Sequence, residues 1–126
     1  ELFQDQSMGV VALAYTPDRR WLISSGVDGS LVLRNARTHG IQYGLLPEEL
    51  GGTPQALAVS PDGKVLAVAM EMRIQLWMLE MASLIDRFDI QLRGLNGLAY
   101  SPDGHWLANA ASDHCIRVWD MRAPLN

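Results

Sequence analysis

Three copies of one sequence pattern recur along this chain of 126 residues, and this repetition limits the fold more than any other feature. Each copy has a short apolar run, a turn in which Asp follows Pro, and two further apolar runs. The turn prolines are Pro17, Pro61 and Pro102, so the copies lie 44 and 41 residues apart. Repeats of this length are typical of arrays of small units, none of which can bury its apolar surface alone. The sequence therefore predicts a fold built by stacking similar units.

The second copy shows how one unit is built. In Ser60-Pro61-Asp62-Gly63, proline presets the backbone for a type I turn and glycine accepts the left-handed conformation of the bulge that follows. The flanking runs Ala56–Val59 and Val65–Ala69 are short and apolar, as in strands that are covered on both faces. A third strand at Ile74–Trp77 and an alternating, half-exposed outer strand at Asp86–Ile90 complete the unit. Four strands per repeat predict one blade of a β-propeller.

The third copy carries a resemblance to a known family. Its second half, LANAASDHCIRVWD from Leu107 to Asp120, is similar to a WD repeat and ends in the Trp-Asp pair after which that family is named. The first copy aligns with it from Leu22 to Asn35 without gaps, whereas the second copy is one residue shorter in its corner. The resemblance covers nearly the whole chain. It implies an all-β fold, a segment of about three four-stranded antiparallel WD-like blades in a larger closed ring.

The departures from the family pattern also matter. WD repeats often join a His, a second-strand Ser or Thr, a corner Asp and the Trp in one hydrogen-bonded network. By this resemblance Asp28 and Asp113 take the corner position and Ser24 the second-strand position, but no copy has the His. We therefore expect these blades to depend more on apolar packing than well-matched members do. Arg19 replaces the turn glycine of the first copy, which costs about 1 kcal/mol if the left-handed conformation is kept.

The repeats set the expected domain organisation. We expect them at approximately residues 9–50, 51–92 and 93–126, with residues 1–6 as the outer strand of a preceding blade. Closed propellers have roughly four to eight blades, so three blades leave two faces exposed. The chain begins at Glu1 without a methionine and stops after the third strand of its last copy. We expect either the remaining blades of a longer propeller or identical chains, joined head to tail, to close the ring.

Composition argues against several classes of partner. A single Cys excludes an internal disulfide framework, and no basic and apolar leader opens the chain, which favours a cytoplasmic location. The apolar runs are too short to span a bilayer, so no membrane partner is expected. With a net charge of −4, nucleic acid is not an expected partner either. The four arginines of the first copy fit a solvated rim, with an acidic-peptide or phosphate contact as the alternative: Arg19, Arg20, Arg34 and Arg37.

The sequence offers no convincing catalytic or metal site. Asp113, His114 and Cys115 are consecutive, and neighbours on a strand point to opposite faces, so without a sharp corner the three do not converge on one ion. His39 and His105 have no Cys, Asp or His at ligand spacing. The chain also lacks a nucleophile elbow and a phosphate-binding glycine loop. We therefore predict no catalytic residue, no metal and no cofactor.

The sequence instead predicts a non-catalytic scaffold that presents propeller loops to other proteins or peptides. The family resemblance places the contact face at the loops that enter the innermost strands and at the corners between second and third strands. The candidate partner-binding residues are Asp28, Thr53, Glu71, Arg73, Arg93, Asp113 and His114. The alternative is a regulatory or substrate-gating propeller of a larger enzyme, such as a peptidase or kinase, whose catalytic part lies outside this chain.

Overall fold

The computed structural model of the chain describes residues 9–45, 52–89 and 95–122, which form antiparallel strands in three sheets. The first sheet contains β1 (Val10–Tyr15), β2 (Trp21–Gly26), β3 (Leu31–Asn35) and β4 (Ile41–Leu45). The second contains β5 (Ala56–Val59), β6 (Val65–Met70), β7 (Arg73–Met78) and β8 (Ser83–Asp89). The third contains β9 (Leu95–Tyr100), β10 (Trp106–Ala111) and β11 (Ile116–Asp120). Strands pair in chain order within each sheet, which confirms the predicted all-β blades.

The turn between the first two strands of each blade has the predicted chemistry. In the first blade the Thr16 hydroxyl donates to Asp18 at 2.6 Å and accepts the Trp21 amide at 3.1 Å. The Ser-Pro-Asp turns of the other two blades repeat both bonds. Gly63 and Gly104 have left-handed φ values of 75° and 76°, as the sequence predicts. Arg19, which is not a glycine, adopts the same left-handed conformation with a φ of 65°. The backbone of the first turn is therefore strained.

The sheets stack face to face, with β5 beside both β1 and β9. The first interface packs large side chains of the second sheet against apolar side chains of the first, namely Leu57, Leu66, Val68, Met70 and Trp77 against Ile23, Leu31, Leu33 and Leu45. The second interface uses the opposite, alanine-rich face of the second sheet, with Ala56, Ala58, Ala67, Ala69, Ile74 and Leu76 packed near Leu98, Tyr100, Leu107 and Trp119. The second sheet therefore has two chemically different faces, one that meets the preceding blade and one that meets the following blade.

Two of these faces have no neighbouring blade among the described residues. Leu13 of β1 is 63% exposed, whereas Leu57, at the equivalent position of the second blade, is 8% exposed. At the other end, Ile116 of β11 is 75% exposed, whereas its equivalent Ile74 is fully buried. A neighbouring blade covers Leu57 and Ile74. In the described part of the chain, the equivalent residues Leu13 and Ile116 have no such blade over them and are therefore exposed.

Two of the four Trp side chains donate hydrogen bonds to acceptors within their own blades. Trp119 Nε1 donates to Asn109 Oδ1 at 2.8 Å, and Trp77 Nε1 donates to Gln75 Oε1 at 3.0 Å. Arg34, which occupies the Trp position of the first blade, is buried and donates to a backbone carbonyl of the following turn at 2.7 Å. These bonds within single blades occupy the place of the longer hydrogen-bonded network in the family pattern.

The exposed end faces predict that the isolated chain associates. Leu13, Tyr15, Ile116 and Val118 are all more than half exposed. Soluble monomers rarely expose contiguous apolar patches beyond about 300–600 Å². Light scattering at micromolar concentration should therefore show self-association, and six-bladed dimers are the expected closed form. A compact, monodisperse monomer of 13.9 kDa would contradict this expectation.

The turn geometry predicts the outcome of three substitutions. Gly63→Val and Gly104→Val place a β-branched side chain at positive φ, and each should lower the free energy of unfolding by about 1–2 kcal/mol. At Gly104 a Cβ would also lie 3.4 Å from Cδ of Pro61. Arg19→Gly removes the strain and should be neutral or stabilising. Chemical denaturation at one fixed chain concentration tests all three, and an unchanged midpoint for both Val variants would show that the turn tolerates side chains.

Candidate partner-binding rim

The connections between strands lie at two opposite rims because the strands of each blade alternate in direction. The turn rim holds residues 16–20, 36–40, 60–64, 79–82 and 101–105. The corner rim holds residues 27–30, 52–55, 71–72 and 112–115, which are the corners and the described part of a loop that enters an innermost strand. A six-residue strand such as β1 separates the two rims by about 20 Å.

A cavity of about 440 Å³ opens on the corner rim of the second blade. It brings together three of the predicted partner-binding residues, Thr53, Glu71 and Arg73. The rest of its lining is formed by Gly52, Gln55, Met70 and Met72. Within the described residues, three of the predicted partner-binding residues therefore come together at the corner rim of this blade.

The shortened corner of the second blade shapes this cavity. Met70 pairs with Arg73, so only Glu71 and Met72 connect β6 to β7. Met72 adopts a left-handed φ of 68°, which closes the corner in so few residues. Gly52 passes close to the Met70 side chain, and a Cβ there would lie 3.4 Å from Met70 Sδ. A larger residue at position 52 would fill the cavity.

The cavity combines charge with adaptable apolar surface. Arg73 is half-buried, and its guanidinium has no described carboxylate within 4.0 Å. Met70 forms a buried floor and Met72 is exposed, and thioether side chains adapt to irregular partners. The arrangement suits a peptide that offers an acidic group to Arg73 and an apolar side chain to the methionines.

The corner carboxylates of the other two blades are already engaged. Asp28 accepts the amide and the hydroxyl of Ser30 at 3.0 and 2.6 Å. Asp113 forms an ion pair with Arg117 at 2.7 Å and accepts the Cys115 amide at 3.2 Å. The Arg117 hydrogen bond lowers the pKa of Asp113. Both carboxylates therefore stabilise their own corners.

The remaining predicted residues lie apart from the cavity. His114 is exposed in the corner of the third blade at a φ of 68°. Arg93 lies outside the described residues, as do residues 1–6. Four lining residues, Gly52, Gln55, Met70 and Met72, are absent from the predicted set. Met70 has the sequence signature of a buried strand end, and only the short corner beside it signals that its side chain faces a cavity.

The described residues hold no arrangement suited to metal chemistry. Within residues 9–45, 52–89 and 95–122, no group of three or more His, Cys, Asp or Glu side chains is placed to bind an ion. Cys115 is an exposed free thiol. No helix capable of crossing a membrane is found in the same part of the chain.

Comparison with known proteins points to one family. The WD40 profile, described as "WD domain, G-beta repeat", matches residues 2–35 and 87–120, more than half of the chain. Target of rapamycin complex subunit wat1 of Schizosaccharomyces pombe is 36% identical over 70 residues, which are 54% of this chain and 22% of that protein. Small ribosomal subunit protein RACK1 of the same organism is 29% identical over 121 residues, which are 89% of this chain and 38% of that protein. The chain spans well under half the length of these relatives.

A solved structure has the same architecture. The WD40 repeats of RRP9 superpose with a TM-score of 0.89 over 97% of this chain, at 21% sequence identity. The chain covers 38% of that structure. At this identity the likeness concerns the fold, and it agrees with the stacked antiparallel sheets described above.

Proposed function

Because this chain belongs to the WD40 repeat family, we propose that it is a non-catalytic scaffold that binds other proteins or peptides through its corner rim. The cavity of the second blade is the observation that carries the proposal, since it groups Thr53, Glu71 and Arg73 around an apolar floor. An extended peptide would place a carboxylate near Arg73 and an apolar side chain over Met70.

The framework beneath the cavity supports this role. The side chains of β6 from Leu66 to Met70 are buried, as are those of β7 from Ile74 to Trp77. The rim residues are therefore held on a packed base, and a partner does not have to order that base when it binds. Variation at the corners changes recognition without changing the fold.

The names of two relatives agree with a role in assemblies. One is a subunit of a target of rapamycin complex, and the other is a small ribosomal subunit protein. By analogy we propose that this chain works within a multi-protein complex in the cytoplasm. The end faces at Leu13 and Ile116 would then be covered by the remaining blades of the same propeller or by identical chains.

The enzyme alternative depends on sequence outside these residues. A regulatory propeller of a peptidase or kinase needs a catalytic part elsewhere in the protein, and the flanking reading frame would reveal it. Further repeats without a catalytic motif would favour the scaffold.

The proposal predicts that charge reversal in the cavity removes a partner without unfolding the blades. Arg73→Glu should weaken partner binding by about tenfold, because it places a negative charge where an acidic group is to be held. Affinity capture from the native extract, followed by mass spectrometry, compares this variant with the parent. Circular dichroism should show the same sheet content for both.

Arg87→Glu is the matched control. Arg87 is exposed on β8, the outer strand of the same blade, and does not line the cavity. It should retain the full set of partners. An unchanged partner set for Arg73→Glu, or an equal loss with Arg87→Glu, would contradict a corner-rim site at Arg73.

A further inference from the structure

A second and larger cavity lies on the turn rim, at the junction between the first and second blades. Its volume is about 680 Å³, within the range of about 300–1,000 Å³ that is usual for ligand sites. The apolar part of its lining comes from both blades: Trp21, Leu33, Tyr43, Met78 and Leu79. The cavity is therefore a groove between blades, about 20 Å from the corner rim.

The floor of this groove is buried and hydrogen-bonded. Leu33 and Leu79 are buried and belong to the apolar core between the two blades. The Tyr43 hydroxyl donates to the Leu79 carbonyl at 2.9 Å, which ties β4 of the first blade to the second blade. The Leu79 amide in turn donates to the Lys64 carbonyl at 2.9 Å. Both blades lie within the described chain, so the groove is present whether or not the end faces are covered.

Two cations flank the apolar floor. Arg20 stands on the first blade, with its guanidinium carbon 5.8 Å from the centroid of the Trp21 ring, and Lys64 stands on the second blade. Neither has a carboxylate within 4.0 Å among the described residues. Both side chains are exposed and therefore accessible to a ligand.

The turn carboxylates nearest to Arg20 and Lys64 accept hydrogen bonds within their own turns. Asp18 accepts the Thr16 hydroxyl at 2.6 Å and the Arg20 amide at 3.0 Å, and these bonds lower its pKa. Asp62 does the same in the second blade, with the Ser60 hydroxyl and the Lys64 amide. Glu80 also lines the groove and has no such bond to another described residue. The groove therefore offers two cations and an aromatic and aliphatic floor to a ligand, while the carboxylates of Asp18 and Glu80 in the same lining oppose an anion.

We propose that this groove binds an extended peptide in which an apolar side chain is flanked by Asp or Glu. The apolar side chain enters between Trp21 and Leu79, while the flanking carboxylates meet Arg20 and Lys64 on opposite sides of the groove. This site goes beyond the proposed corner-rim function. It would give the chain two separate docking surfaces, so that two partners bind at the same time and the chain links them.

The test uses short fluorescein-labelled peptides with Leu or Phe at the centre and Glu on both sides, and a matched set with Lys in place of Glu. Fluorescence polarisation should show that the acidic set binds and the basic set does not. Arg20→Glu and Lys64→Glu should each weaken binding by about tenfold. Glu80→Lys should strengthen it by about threefold, because it replaces one of the two opposing carboxylates in the lining with a cation.

Arg87→Glu again serves as the charge-matched control and should bind the acidic peptides as the parent does, because Arg87 lies outside the groove. Circular dichroism of every variant checks that the blades are intact. The proposal is overturned if neither set binds, if both sets bind equally, or if folded Arg20→Glu and Lys64→Glu bind like the parent.

The two sites can be tested separately. Arg73→Glu should leave the binding of acidic peptides at the groove unchanged, and Arg20→Glu should leave the corner-rim partners unchanged. If acidic peptides fail to bind the parent while Arg73→Glu still loses its partners, the groove proposal falls and the corner-rim proposal stands. If Arg73→Glu keeps its partners while acidic peptides bind the groove, the corner-rim proposal falls and the groove proposal stands.

Discussion

Stacking of unlike sheet faces is the interaction on which the rest of the structure depends. The second sheet places Leu66 and Trp77 against the first sheet and its alanine-rich opposite face against the third. Fully burying one large aliphatic side chain contributes roughly 1.5–3 kcal/mol, whereas one neutral hydrogen bond contributes about 1 kcal/mol. The contrast between buried Leu57 and exposed Leu13 shows where this stabilisation is present and where a further blade must supply it.

Most of the polar side-chain bonds described above lie within one blade, with the bond from the Tyr43 hydroxyl to the Leu79 carbonyl of the second blade as an exception. The Trp119 indole donates to Asn109 in its own sheet, while Asn109 Nδ2 is buried without a hydrogen-bond partner among the described residues. Such a pair fixes side-chain orientation but does not connect the blades. Because apolar stacking stabilises the framework, residues in the corners and turns can vary without loss of the fold. The cavity beside Arg73 and the groove beside Arg20 are both lined by such corner and turn residues, one at each rim.

The repeat pattern predicts most of the fold. The strand Ala56–Val59 and the left-handed Gly63 and Gly104 are found as predicted, because strand pattern and turn chemistry are local properties. The WD-repeat resemblance is confirmed by the family match. The sequence did not reveal the Met70 floor or the groove at Tyr43, because both arise where separate segments meet. Trp106 is 40% exposed beneath Arg122, since its face of the third blade has no described neighbour.

One comparison tests most directly whether apolar stacking holds the blades together. Leu107 and Asn109 are both buried on the same face of β10, two residues apart. If stacking dominates, Leu107→Ala should lower the free energy of unfolding by about 2–5 kcal/mol at fixed chain concentration. Asn109→Leu should change it by less than about 1.5 kcal/mol, since losing the bond to Trp119 is offset by removing a buried, unbonded amide. A larger loss for Asn109→Leu than for Leu107→Ala would show instead that the polar pair holds the blade in place.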